Sequence, residues 1–256
     1  MIASRVLQEP LDNFQRFCGY KMLSIFPSDR LRWLANRGVL RDVLVKLGIN
    51  CVLDVGANRG QYGMALRGIG YKGWIVSFEP IKANFEVLED VAKRNGRWCV
   101  FRYALGAVNG RLLINVTERS VFSSFLTPRE DSQTRFPKNR VERREEVEVR
   151  RLDKILATCL SGIESPRIYL KMDTQGFDLE VVKGAESVLA RILALQTEVS
   201  FRSIYAGMPG FTESIKELQV RGFDVVDFLS VASDVDGLCA IEMDCVMARR
   251  AATSTS

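Results

Sequence analysis

Residues 51–63 read Cys51-Val52-Leu53-Asp54-Val55-Gly56-Ala57-Asn58-Arg59-Gly60-Gln61-Tyr62-Gly63. An apolar run ends in Asp54, passes Val55, turns through 56–60 and enters Gln61 to Leu66, a strand, tight glycine turn and helix in sequence. This is the first βα unit of a nucleotide-binding sheet. Glycine lets the backbone turn sharply and approach a ligand closely, while N–H groups at the helix start favour polar or anionic groups.

A dinucleotide fingerprint requires G-x-G-x-x-G, with the middle glycine giving the pyrophosphate room, but the position two after Gly56 is Asn58. The spacing here is G-x-x-x-G-x-x-G. With the preceding acid, D-x-G-x-N-x-G (Asp54 to Gly60) resembles motif I of the class I S-adenosylmethionine (SAM) methyltransferases, whose ligand carries no pyrophosphate. A NAD site and a turn that binds nothing remain the alternatives at this point.

The 256 residues are 47% apolar and 26% charged, ordinary for one soluble α/β domain, and a net charge of +5 implies no general affinity for polyanions. Six cysteines (18, 51, 99, 159, 239, 245) lack any C-x-x-C pair and read as buried thiols in a reducing compartment. Arg5, Glu9 and Asp12 interrupt the opening stretch, which argues against a signal peptide or membrane span and for a cytoplasmic protein. There is no histidine. That removes the usual general base, the Ser-His-Asp triad and imidazole metal ligands.

Residues 1–48 carry apolar positions at helical spacing in two groups divided at Pro27-Ser28, with Gly48 closing the second. They predict an N-terminal helical cap that covers an edge, forms a lid over substrate or mediates a homo-oligomer contact. A catalytic domain spans 49–250 and a disordered tail 251–256. Gly73 to Pro80 is a buried strand ending in Glu79, whose carboxylate is placed to accept both ribose hydroxyl protons, a role shared by NAD and SAM sites. Residues 82–95 form a helix, and Cys99 to Gly106 a third strand whose end, at Ala104, passes near the adenine. Residues 111–152 are the least regular: Leu112 to Val116 and Glu145 to Leu152 read as strands, with a polar and aromatic loop over 120–126. Arg135 to Arg144 holds five Arg and Lys, but the interleaved Glu142, Glu145, Glu146 and Glu148 favour a solvated ribbon or substrate loop over a nucleic-acid patch. Pro166 to Asp173 is the fourth strand, Asp178 to Leu189 a helix, and Leu193 to Glu198 the fifth strand. Gly222 to Phe228 and Asp244 to Ala248 complete seven strands, the last pair antiparallel. In a doubly wound sheet the fourth strand lies beside the first, so Asp173 and Glu198 end adjacent strands on the rim that carries Gly56 and Glu79.

VLDVGANRGQYG, VSFEP, ALG, SSF, RRLDKIL, YLKMDTQGFDLEVVKGAE and LQTEVSF, in this order, resemble the FkbM-type methyltransferases over about residues 50–250. The block from Asp173 to Ala185 is what generic Rossmann-like proteins lack. The resemblance implies a Rossmann-like, doubly wound, seven-stranded class I methyltransferase sheet. It also implies SAM-dependent O-methylation of a small-molecule hydroxyl on a sugar, glycolipid or polyketide-type natural product. The cofactor-binding set is then Asp54, Gly56, Asn58, Gly60, Glu79, Ala104 and Ser124. Two departures matter: the family commonly has Glu two after the strand-end Asp, where this chain has Gln175, and related sugar methyltransferases often use a histidine base.

Methyl transfer from a sulfonium requires the acceptor oxygen to be held behind the methyl while its proton leaves. Asp173 and Glu198 can serve as catalytic residues in two ways: one takes the proton directly, or both bind a hard cation such as Mg2+ that acidifies the hydroxyl. Similar natural-product enzymes use the metal route. Asp173 could instead pair with Lys171 or cap the next helix. A nucleic-acid or protein methyltransferase acting on amino groups should show an N-P-P-Y-type tetrapeptide where this chain has Asp173-Thr174-Gln175-Gly176. A NAD-linked oxidoreductase or non-catalytic nucleotide-binding module is the remaining class.

Overall fold

Cys51–Val55 forms β1, all five residues buried, Asp54 among them, as a strand inside a parallel sheet requires. In this computed structural model the described residues are 28–233 and 238–250. The chain divides into two units after Leu40, and the second, Arg41–Ser256, carries the sheet. Helix α1 (Ser28–Lys46) precedes β1, and Gly48 turns the chain toward β1 at φ +57°. The helical group expected before Pro27 and the tail 251–256 lie outside the described residues.

Around β1 the second unit builds a seven-stranded sheet from β2 (Trp74–Phe78), β3 (Trp98–Phe101), β7 (Ile168–Met172), β8 (Ile192–Ser200), β9 (Phe223–Ser233) and β10 (Ala240–Arg249). Its order is β3-β2-β1-β7-β8-β10-β9. All neighbours pair parallel except β10, which runs antiparallel to both β8 and β9. This is the doubly wound class I methyltransferase sheet that the sequence predicts. Helices α2 (Gln61–Gly68), α3 (Lys82–Lys93), α5 (Leu152–Cys159), α6 (Asp178–Gly184) and α7 (Phe211–Val220) connect the strands. The main core, including Leu53, Phe78, Leu105, Leu156, Leu170 and Val182, is buried among them.

Three expectations need correction. The strand predicted over 99–106 breaks after Phe101, where the Tyr103 ring packs against Phe78 and Phe101 at 6.0 and 5.6 Å, and Ala104–Leu105 (β4) leaves for a second sheet. The helix predicted over 178–189 stops at Gly184, a weak helix former, and continues as a tighter 3-10 turn over 186–191. Residues 111–152 are far more regular than they read. β5 (Gly110–Thr117) and β6 (Val141–Arg150) pair antiparallel, β4 joins β6, and a short helix α4 (Glu130–Arg135) lies between. Their alternation buries Ile114, Val116 and Val147 with Ile81, while the charges face outward in pairs such as Arg111–Glu146 at 2.7 Å. The basic run is thus half strand: Arg143 pairs with Glu145 along β6, and Arg144 donates across the ribbon to Asn115 Oδ1.

Candidate functional site

β1 and β7 are in parallel register, Val55 beside Met172, so the residues that follow them meet on the same rim. Asp173 N donates to the Val55 carbonyl at 3.1 Å, and Gly56 N and Ala57 N donate to the Phe78 carbonyl at 3.1 and 3.0 Å. The turn is therefore laced to the ends of both neighbouring strands. Gly56 is at φ +76°, and a Cβ there would overlap the Asp173 carbonyl oxygen. Only glycine meets both demands.

Beside this turn opens a cleft lined by Val55, Gly56, Asn58 and Glu79. Asn58 is itself left-handed at φ +47°. The Glu79 carboxylate accepts from Asn58 N at 2.8 Å and Ile81 N at 2.9 Å. Burial nonetheless pushes it up to about 7, against those hydrogen bonds. Two of its four lone-pair positions remain for a ligand's hydroxyls.

The segment 120–126 closes the cleft as a strap. Ser120 Oγ accepts from Asn58 Nδ2 at 3.1 Å, Ser124 pairs with Asn115 as an isolated bridge, and Ser124 Oγ donates to the Gln175 carbonyl at 2.8 Å. Phe125 stacks on Phe177 with centroids 4.7 Å apart.

On the opposite side, Gln175 joins the two candidate catalytic carboxylates: its Nε2 donates to Asp173 Oδ1 at 3.0 Å and to Glu198 Oε2 at 2.9 Å. Lys171 Nζ donates to Asp173 Oδ2 at 3.0 Å and lies 3.6 Å from Asp54 Oδ1. Burial works against the Lys171 ammonium, but Asp173 and Asp54 outweigh it and keep it charged. Desolvation raises Glu198 well above the carboxylate range, reinforced by Asp173, Glu242, Asp244 and Asp178. Asp178 is buried and ties the loop to β8, accepting from Thr197 Oγ1 at 2.6 Å, Glu198 N at 3.1 Å and Thr174 N at 2.9 Å. Asp173 thus pairs with Lys171 rather than capping α6, whose first turn has no side-chain cap.

Mg2+ does not fit this arrangement. An amide N–H donor lies between the two carboxylates and an ammonium holds the far oxygen of Asp173, so positive hydrogens already fill the approaches that a hard cation's oxygen shell needs. Among the described residues no group of three or more His, Cys, Asp or Glu converges as metal ligands.

Of the sequence-predicted residues, Gly56, Asn58, Glu79, Ala104, Ser124 and Asp173 line the cleft. Glu198 reaches it through Gln175. Asp54 is fully buried beneath the turn, accepting from Ser77 Oγ at 3.2 Å, and Gly60 (φ +89°) turns into α2 against Leu88 and Trp98; neither lines the cleft. Sequence reading missed Thr174, Gln175, Ser120, Phe125 and Ile81 in the lining, and Tyr205, whose hydroxyl lies 2.9 Å from Gln175 Oε1. Gln175 stood out as a departure from the D-x-E pattern; nothing in the sequence marked Tyr205.

A sequence profile for the Methyltransferase FkbM domain matches residues 54–225. No curated protein sequence matches. Among solved structures, the chain is similar to the fibrillarin pre-rRNA processing protein of Methanococcus jannaschii at 15% identity, covering 79% of this chain and 67% of that one, with a TM-score of 0.46. It is similar to Aeropyrum pernix fibrillarin with natively bound SAM at 15% identity, 77% and 66% coverage and a TM-score of 0.42. For magnesium protoporphyrin IX methyltransferase from Synechocystis with bound SAM, the figures are 10% identity, 85% and 78% coverage and a TM-score of 0.44.

Proposed function

The chain belongs to the FkbM methyltransferase domain family, and we propose that its cleft binds SAM and that it methylates a hydroxyl of a small molecule such as a sugar, glycolipid or polyketide-type natural product. The observation that carries this reading is the shared rung of β1 and β7, which sets Asp173 directly beside Gly56. A cofactor turn and a carboxylate acceptor for a proton are thereby one residue contact apart.

When bound, SAM supplies an electrophilic methyl group on a sulfonium. Asn58 and Glu79 would hold its ribose, with Glu79 accepting from the hydroxyls, and Ala104 and Ser124 would border the adenosine side. Asp173, with its side chain 41% exposed, is the carboxylate open to an acceptor hydroxyl and would take its proton. Glu198 supports it through Gln175. The loop after β7 reads Asp173-Thr174-Gln175-Gly176, without the N-P-P-Y-type arrangement for amino groups, which favours oxygen chemistry. Among the described residues no helix is long and apolar enough to cross a membrane, and the described cysteines form no disulfide.

Calorimetric titration with SAM and NAD in parallel tests the cofactor: SAM alone should bind. Incubation with methyl-labelled SAM and fractionated cell extracts tests the acceptor, with label expected in an ether-linked small molecule. Label in RNA or protein, or binding of NAD instead, would refute the proposal. Asp173→Ala and Glu198→Ala should each abolish transfer while leaving SAM affinity within a few-fold.

A further inference from the structure

Gln175 is held more tightly than a loop residue needs to be. Its backbone is left-handed at φ +53°, an unfavourable place for a residue with a side chain, and it is 7% exposed. Each amide function has a partner: the nitrogen faces Asp173 and Glu198, and the oxygen faces the hydroxyl of Tyr205 at 2.9 Å. Tyr205 is fully buried, and its oxygen also lies 2.8 Å from the Phe122 carbonyl of the strap. The phenol carries one hydrogen, which these two acceptor oxygens share. Turning the amide over would set its oxygen against Asp173 Oδ1, so Asp173 orients it.

We propose that Gln175 is the positioning residue of the acceptor side, its uncharged amide bridging Asp173 and Glu198 at the point where a divalent cation would otherwise sit. A cation would hold two carboxylates by charge and draw on their lone pairs. The amide holds them with one N–H each, so each bound oxygen keeps a second lone pair, and on Asp173 that lone pair can accept a proton. The strained backbone, the Ser124 hydroxyl on the Gln175 carbonyl and Tyr205 together prevent the side chain from leaving this place. One consequence is specific to the chemistry: Gln175→Glu removes both donors and adds a third carboxylate to the same point, which creates the oxygen cluster that this chain lacks.

The kinetic part of this inference rests on the proposed methyl transfer; the ion-binding part does not. Titrating the full-length protein with MnCl2 should show no stoichiometric site in the wild type and one ion per chain in Gln175→Glu. A wild-type site that disappears in Glu198→Gln, or no site in Gln175→Glu, would overturn the bridge. Gln175→Leu keeps the bulk and deletes the donors, so kcat for transfer of labelled methyl should fall at least ~10-fold while KM for SAM stays within about threefold. Unchanged kcat, or equal losses in SAM binding and turnover, would reduce Gln175 to a structural residue. If Gln175→Glu does not fold, the wild-type titration and Gln175→Leu still decide. Failure of the wild type to bind SAM would refute the cofactor reading alone, because the manganese titrations use no SAM.

Discussion

Glu79 shows how one buried carboxylate sets a binding pH. Its value in the folded chain is about 7, raised by burial above the ordinary carboxylate range. As pH falls through about 7 it gains a proton and loses acceptor capacity toward ribose hydroxyls, so SAM affinity should be full above that pH and weaken below it. Calorimetry between pH 6 and pH 8.5 measures this, and a flat profile would count against Glu79 as the ribose acceptor. Glu79→Ala should weaken SAM binding at least ~10-fold, the loss of charged hydrogen bonds worth roughly 1.5–3 kcal/mol each. Gly56→Ala adds both a strained φ and an overlap with the Asp173 carbonyl, and should destabilise by roughly 1–3 kcal/mol with a matching fall in thermal midpoint. Both residues were legible because a glycine turn and a strand-end acid declare themselves within a few positions. Tyr205 was not. Its role arises only when segments around 122, 175 and 205 converge, and a lone tyrosine in a loop carries no periodicity.

The pieces of the family pattern prove to be contacts between elements. Gly184, near the end of α6, lies on the Gly106 backbone, so a Cβ there would strike the Gly106 carbonyl, although its own φ is ordinary. Gly184→Ala should therefore lower the thermal midpoint, an overpacking cost of roughly 1–3 kcal/mol, while SAM affinity at temperatures well below unfolding stays near wild type. The ALG and KGA fragments, some eighty positions apart, are thus two sides of one close approach. The strap behaves differently. Ser124→Ala removes the hydroxyl that satisfies the Gln175 carbonyl, an interaction buried at 2.8 Å, and should speed SAM dissociation severalfold in stopped-flow displacement with little loss of global stability. Sequence reading found β1, β2, β7 and β8 because their runs are mostly apolar. Of the second sheet it found Leu112 to Val116 and Glu145 to Leu152 but not the first half of β6, Val141-Glu-Arg-Arg-Glu, where charge hides a strand whose buried face is confined to Val147 and Val149.

Over the whole molecule, the acids about the cleft and β8–β10 give stability a definite dependence on pH. Asp244 lies directly across from Glu198 in the antiparallel register, and Glu242 across from Ser200. Burial lifts both Glu242 and Asp244 to about 7, with Asp173 adding repulsion in each case. Groups whose folded values exceed their unfolded values near ~4 hold protons that the unfolded chain has released. Stability is accordingly fully present below the unfolded values and declines as pH rises through about 7, by up to ~1.4 kcal/mol per pH unit for each proton retained. Denaturant unfolding at pH 5.5, 7 and 8.5 should give a falling series; a flat series would show that these acids are already ionised in the fold. That β7 lies beside β1 and β8 beside β7, with the last pair antiparallel, was readable from the doubly wound rule, whereas the proton count of the rim depends on cross-strand neighbours that only register reveals. The rung that joins Val55 to Asp173 has a further consequence, for divergence. With the Gly56 turn and Asp173, the cofactor turn and base of the proposed function, locked to one peptide, neither can shift to suit a new acceptor without disturbing the other. Change of acceptor among descendants of this chain is therefore confined to the segments that border the rung from outside, the strap at 120–126 and the loop that carries Tyr205.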